Sequence, residues 1–180
     1  MPEFVKAESG QKCLKVPDQP KIETKTPVEP PLGAYPAHVD EKGRLKVPVT
    51  FKEYLESVED GRLFVTTTDK RIAKLYPISL WKENLKHLSE LAIENPVLAK
   101  SMSITARYYG EDARMDPNGR VMLPTNLRRF LSLEGQEVWM DATPEGCINI
   151  YSKAEYESQL QKAEGLLEEA NVAAARKGFV

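Results

Sequence analysis

Val39-Asp40-Glu41-Lys42-Gly43-Arg44-Leu45-Lys46-Val47-Pro48 returns 76 residues later as Met115-Asp116-Pro117-Asn118-Gly119-Arg120-Val121-Met122-Leu123-Pro124. Asp, Gly, Arg and Pro recur at identical spacing, and the echo runs well past the motif. Phe51 and Leu55 are answered by Leu127 and Leu131, Leu75-Tyr76 by Ile150-Tyr151, and Trp81 and Leu85 by Tyr156 and Leu160. The offset changes only by one or two residues, as insertions in loops would produce. Two copies are too few for a solenoid. The pattern predicts one pseudo-symmetric unit made of two halves.

Each half reads the same way. Tyr35 to Val39 is a predicted strand, and Asp40 to Gly43 a turn in which Asp caps backbone N–H groups and Gly supplies a positive φ. Leu45-Lys46-Val47 alternates as a second strand. Pro48 suits the first turn of a helix whose apolar face is Phe51, Leu55 and Val58. Asp60-Gly61 turns into a strand at Leu63–Thr67, Asp69-Lys70 forms a hairpin tip, and Ile72–Tyr76 returns. A second helix follows Pro77, lined by Trp81, Leu85, Leu88 and Ala92, and Asn95-Pro96 ends it. A short helix, Val97 to Met102, links the halves. The last helix is expected to run unbroken from Lys153 towards Arg176 and to fray past Val172.

Four short strands per half leave open edges and too little apolar area for a core. The predicted fold class is therefore α+β, a pseudo-twofold β-barrel of two interleaved halves with peripheral helices. The expected organisation is a Pro-rich disordered tail at 1–32, a first repeat at 33–94, a helical linker at 95–108, a second repeat at 109–168 and a C-terminal tail at 169–180. The first tail holds six of the thirteen prolines, with five acidic and five basic residues, a composition that favours an extended, solvated chain.

With 41% hydrophobic and 29% charged residues the composition is that of an ordinary globular protein. No apolar run approaches the ~18 residues of a membrane span, and Met1 to Pro36 has no signal-peptide core. A cytoplasmic protein with no membrane partner is expected. Cys13 and Cys147 are not expected to pair, and His38 and His87 stand far apart, so no metal and no cofactor are expected. Nor do the repeats carry a nucleophile–base constellation, a phosphate-cradling loop or paired acid/base carboxylates, which argues against an enzyme and against a small-molecule substrate.

The net charge of −2, with 16 Lys/Arg against 17 Asp/Glu over residues 33–151, rules out a broadly basic nucleic-acid binder. Any anion binding must come from local clustering. Arg44 and Arg120 are the candidates: arginine's planar fork contacts guanine O6 and N7 together, or grips a phosphate. The competing reading is that each Arg pairs with the Asp four residues before it and locks the turn. Asp40 and Asp116, with Gly43 and Gly119, are read as turn-orienting residues. Lys42 and Lys46 flank Arg44 as phosphate contacts, and Asn118 stands where Lys42 does in the first copy. Arg114, Arg128 and Arg129 are expected to add positive charge near the second turn. Trp81 and Tyr156 read as core residues.

The twice-occurring Asp-x-x-x-Arg, with Gly before each Arg and Pro four residues after it, resembles the MraZ family of bacterial transcriptional regulators, related to the AbrB/SpoVT-type swapped-hairpin barrels. Leu75-Tyr76-Pro77 followed by Trp81, and Asn95-Pro96, add to the likeness. The resemblance covers most of residues 33–165 and not the N-terminal tail. It implies two AbrB/SpoVT-like repeats and a nucleoid-associated DNA-binding repressor that forms a closed ring of protomers. It further implies binding of double-stranded promoter DNA at short G-containing direct repeats, upstream of the division and cell-wall gene cluster and the protein's own gene. The alternative is an antitoxin-like module that uses the same barrel to hold another protein.

Overall fold

The computed structural model describes residues 28–58 and 61–179. Cys13, the turn residue Asp60 and most of the expected tail lie outside them. The first half comprises β1 (Tyr35–Val39), β2 (Arg44–Lys46), α1 (Val49–Ser57), β3 (Arg62–Thr66), β4 (Ala73–Pro77) and α2 (Ile78–Glu94). After α3 (Pro96–Tyr109) the same order returns as β5 (Glu111–Arg114), β6 (Arg120–Met122), α4 (Thr125–Phe130), β7 (Glu137–Ala142), β8 (Ile148–Ser152) and α5 (Lys153–Glu164), followed by α6 (Leu167–Ala175).

The eight strands form one antiparallel sheet in the order β5-β3-β4-β8-β7-β1-β2-β6. A bridge between Met115 and Val121 brings its two ends together. Exchanging each strand with its counterpart in the other half reproduces this cyclic order, which is the topological signature of a twofold. The register obeys it as well: Tyr35 faces Met140 where β1 meets β7, and Glu111 faces Val65 where β5 meets β3. The local axis runs between the self-matched seams β2–β6 and β4–β8. Half of the seams around the barrel thus join one half to the other, and interleaving removes the edges that each half would expose.

The core is built from matched pairs. Leu45 and Val121, Val47 and Leu123, Phe51 and Leu127, Val65 and Met140, and Leu75 and Ile150 are all buried in one cluster. Alternation along each strand sends these side chains inward and their neighbours out. Outside the barrel, Phe64 stacks on Trp81 at 4.5 Å, and the corresponding Trp139 stacks on Tyr156 at 5.0 Å. These stacks pin α2 and α5 to their hairpins. Trp81 and Tyr156 are half-buried there and take no part in the sealed core.

Two helices differ from expectation. α3 runs for 14 residues, well beyond Met102. Asn95 caps it by accepting from the Leu98 N–H at 3.1 Å, with Pro96 in the first turn. Its buried face is Ala99, Ala106 and Tyr109, too small a stripe to be seen as an apolar period. The last helix is broken at Gly165-Leu166 into α5 and α6, and α6 continues to Ala175. Among the described residues, no helix is long and apolar enough to cross a membrane.

Candidate nucleic-acid interface

The two motifs fold into the same turn. The Asp40 carbonyl accepts from Gly43 N–H at 2.9 Å, and Asp40 Oδ1 accepts from the backbone N–H of Lys42 at 3.0 Å and of Arg44 at 2.9 Å. In the second copy the Asp116 carbonyl accepts from Gly119 at 2.9 Å, and Oδ1 from Asn118 and Arg120, both at 2.9 Å. Asp suits the position because the oxygen of its short side chain reaches both N–H groups. Gly suits its own because φ is +83° at Gly43 and +70° at Gly119. Asp40 with Gly43, and Asp116 with Gly119, are thus brought together in two equivalent turns.

The arginines differ between the copies. Arg44 Nε donates to Asp40 Oδ2 at 2.7 Å, while Arg120 pairs with no carboxylate among the described residues. Asp40 engages Arg44 through Nε and leaves the terminal amino groups, the ones that fork onto a guanine or phosphate, out of the ion pair. The Arg44 backbone N–H holds the Asp40 carboxyl below the usual carboxylate range; desolvation opposes it, and the Arg44 guanidinium reinforces it. The locking role and the outward role are therefore compatible in one side chain.

Sheet pairing then brings the turns together. β2 and β6 are antiparallel, with Arg44 opposite Met122, Leu45 opposite Val121, and Lys46 opposite Arg120. Directly opposed residues share a face. Leu45 and Val121 point into the core, so Arg44, Lys46, Arg120 and Met122 lie together on the outer face of a two-stranded ribbon. The carbonyl of Gly43 accepts from Leu123 N–H at 2.9 Å, and that of Gly119 from Val47 N–H at 3.0 Å. Each turn is held by the strand that leaves the other.

This crossing rearranges the flanking cations. Lys46 flanks Arg44 in sequence, yet its ammonium donates to the Asn118 carbonyl of the second turn. Arg128 follows the second motif but packs over Gly43 of the first turn, a correction to its expected place beside the second turn. It is held there by Glu134 at 2.7 Å and the Leu123 carbonyl at 2.8 Å. Lys52, its counterpart 76 positions earlier, packs over Gly119. Sequence reasoning passed over Lys52, although its alignment with Arg128, four residues after each motif Pro, is a legible signal. Lys42 remains exposed at the tip of the first turn.

A closed barrel of two interlocked hairpin repeats that presents twin Asp-x-x-Gly-Arg turns from one ribbon defines the class: a two-repeat swapped-hairpin barrel protein. The family model described as "MraZ protein, putative antitoxin-like" matches residues 111–177. Among curated relatives, the protein named Transcriptional regulator MraZ from Acidobacterium capsulatum is 36% identical over 106 residues, covering 59% of this chain and 72% of its own. Its namesake from Koribacter versatilis is 35% identical, covering 58% and 71%. The one from Thiobacillus denitrificans is 30% identical over 138 residues, covering 77% and 91%. The chain belongs to the MraZ family.

Proposed function

We propose that the chain is a DNA-binding transcriptional regulator that reads double-stranded DNA with the outer face of the β2–β6 ribbon. The observation that carries this reading is the gathering of Arg44, Lys46 and Arg120 on one exposed face, from motifs 76 residues apart, in a chain of net negative charge. A two-stranded ribbon has the dimensions to enter the major groove. Arg44 and Arg120 are the base-reading residues, Lys42, Lys46 and Lys52 contact phosphates, and Asn118 serves a base edge. Relatives that carry the name transcriptional regulator support the same assignment.

The finer proposal is that of a nucleoid-associated repressor of the division and cell-wall gene cluster, including its own gene. It binds short G-containing direct repeats through the successive protomers of a closed ring. One ribbon offers few cations, so repetition supplies the affinity that net charge does not. The family description favours a second reading, in which the barrel holds a protein partner.

A mobility-shift series separates these readings. With fragments bearing the repeats upstream of the chain's own gene, affinity is expected to fall steeply with salt as phosphate contacts are lost. Shifting the repeat spacing by half a helical turn is expected to weaken binding far more than shifting it by a full turn of ~10 bp. No complex with such DNA would overturn the regulator; indifference to spacing would overturn the ring.

A further inference from the structure

The twofold that relates the two halves breaks down at their last helices. α2 leaves β4 and packs against α3, whose Ala99, Ala106 and Tyr109 are buried. α5 leaves β8 in the same way, anchored by Tyr156 on Trp139. Yet neither α5 nor α6 buries any residue. Leu160, Leu166, Leu167 and Val172 stand 49–61% exposed. A nine-residue helix with no buried face is marginal in water, so α6 has the character of a helix made to be covered.

The first half carries a matching groove. Between α2 and α3 runs a shallow, open groove lined by Leu88, Ala92, Ala99 and Ser103, with Lys100 and Arg107 along it. Its small floor residues allow close approach of a helix, and amphipathic helices seat in grooves of this kind. Charge is complementary: α3 contains Lys100 and Arg107 and no acidic residue, whereas α6 contains Glu168 and Glu169 and no basic one.

We infer that α6 of one copy docks in the α2–α3 groove of the next, which makes this pair of surfaces the contact between protomers. It rests on the ring reading above and supplies its interface. The two surfaces are different and belong to opposite halves of the barrel, so the contact is head-to-tail. Contacts of that kind propagate and close into rings when the rotation permits.

Two charge-reversed proteins test this: Lys100→Glu with Arg107→Glu, and Glu168→Lys with Glu169→Lys. By light scattering at micromolar concentration the wild type is expected to be an assembly and each variant alone a monomer with an unchanged circular-dichroism spectrum. An equimolar mixture is expected to reassemble, because each reversed groove then meets a reversed helix and the remaining pair is native. Variants that assemble like the wild type, or that stay monomeric when mixed, would overturn the interface while leaving a ring intact. A monomeric wild type would overturn the ring itself. A monomeric wild type whose melting temperature falls in both variants would place α6 in its own chain's groove, which also overturns the proposal.

Discussion

Gly43 and Arg44, adjacent in one turn, show how closely a backbone requirement and an exposed guanidinium can sit. A Cβ at Gly43 would lie 2.3 Å from Arg128 Cδ, whereas one at Gly119 would meet Lys52 no closer than 3.3 Å. At a positive φ either Ala costs about 1–2 kcal/mol. Gly43→Ala also displaces a guanidinium bound to Glu134 and the Leu123 carbonyl, about 1–3 kcal/mol more. Denaturant melts are expected to rank Gly43→Ala as clearly the worse of the two. Asp40 gives a pH signature. Its folded-state pKa is depressed, so its contribution is complete above the unfolded value of about 3.9 and is lost as pH falls through the lower folded value. Asp40→Asn is expected to melt below the wild type at neutral pH, and the gap to narrow as pH falls below about 3.9; a gap that stays constant into acid would contradict the assignment. The turns were legible because their chemistry is local: Asp, Gly and Arg act within five residues. Lys46 reaching Asn118 and Arg128 reaching Gly43 were not, since both depend on which strand lies next to β2.

At the level of elements, the interleaving predicts mutual dependence. β1 finds its outer partner in β7, and β5 finds its own in β3. A fragment of residues 28–95 or 96–180 therefore exposes its unpaired edges and half a core, and neither is expected to give a cooperative melt alone. Mixing the two is expected to restore β-sheet circular dichroism, because four seams re-form on association; a fragment that folds by itself would contradict the shared core. The repeat in sequence foretold this pairing because both copies carry the same apolar positions, from Leu45 and Val121 to Leu75 and Ile150. The full length of α3 stayed hidden because it buries alanines, which leave no periodic stripe. The break between α5 and α6 stayed hidden because an Ala- and Glu-rich stretch favours helix throughout, and Gly165 alone did not signal a stop.

For the whole molecule, a net charge of −2 makes the location of charge decisive. The exposed ribbon gathers cations from both repeats, while α6 carries only anions and faces away from the core. In the proposed reading, recognition and assembly fall on different surfaces of one barrel, because α6, unlike its counterpart α3, buries no residue. The central claim is that the two turns form a single reading surface. It is tested most directly by the ratio of affinities for the direct-repeat fragment and a scrambled fragment of equal length, measured by fluorescence anisotropy at one salt concentration. Lost base contacts cost roughly 1–3 kcal/mol each. Arg44→Ala and Arg120→Ala are each expected to reduce that ratio by at least an order of magnitude, with melting temperatures close to the wild type. A ratio unchanged by both substitutions, in folded proteins, would contradict the account.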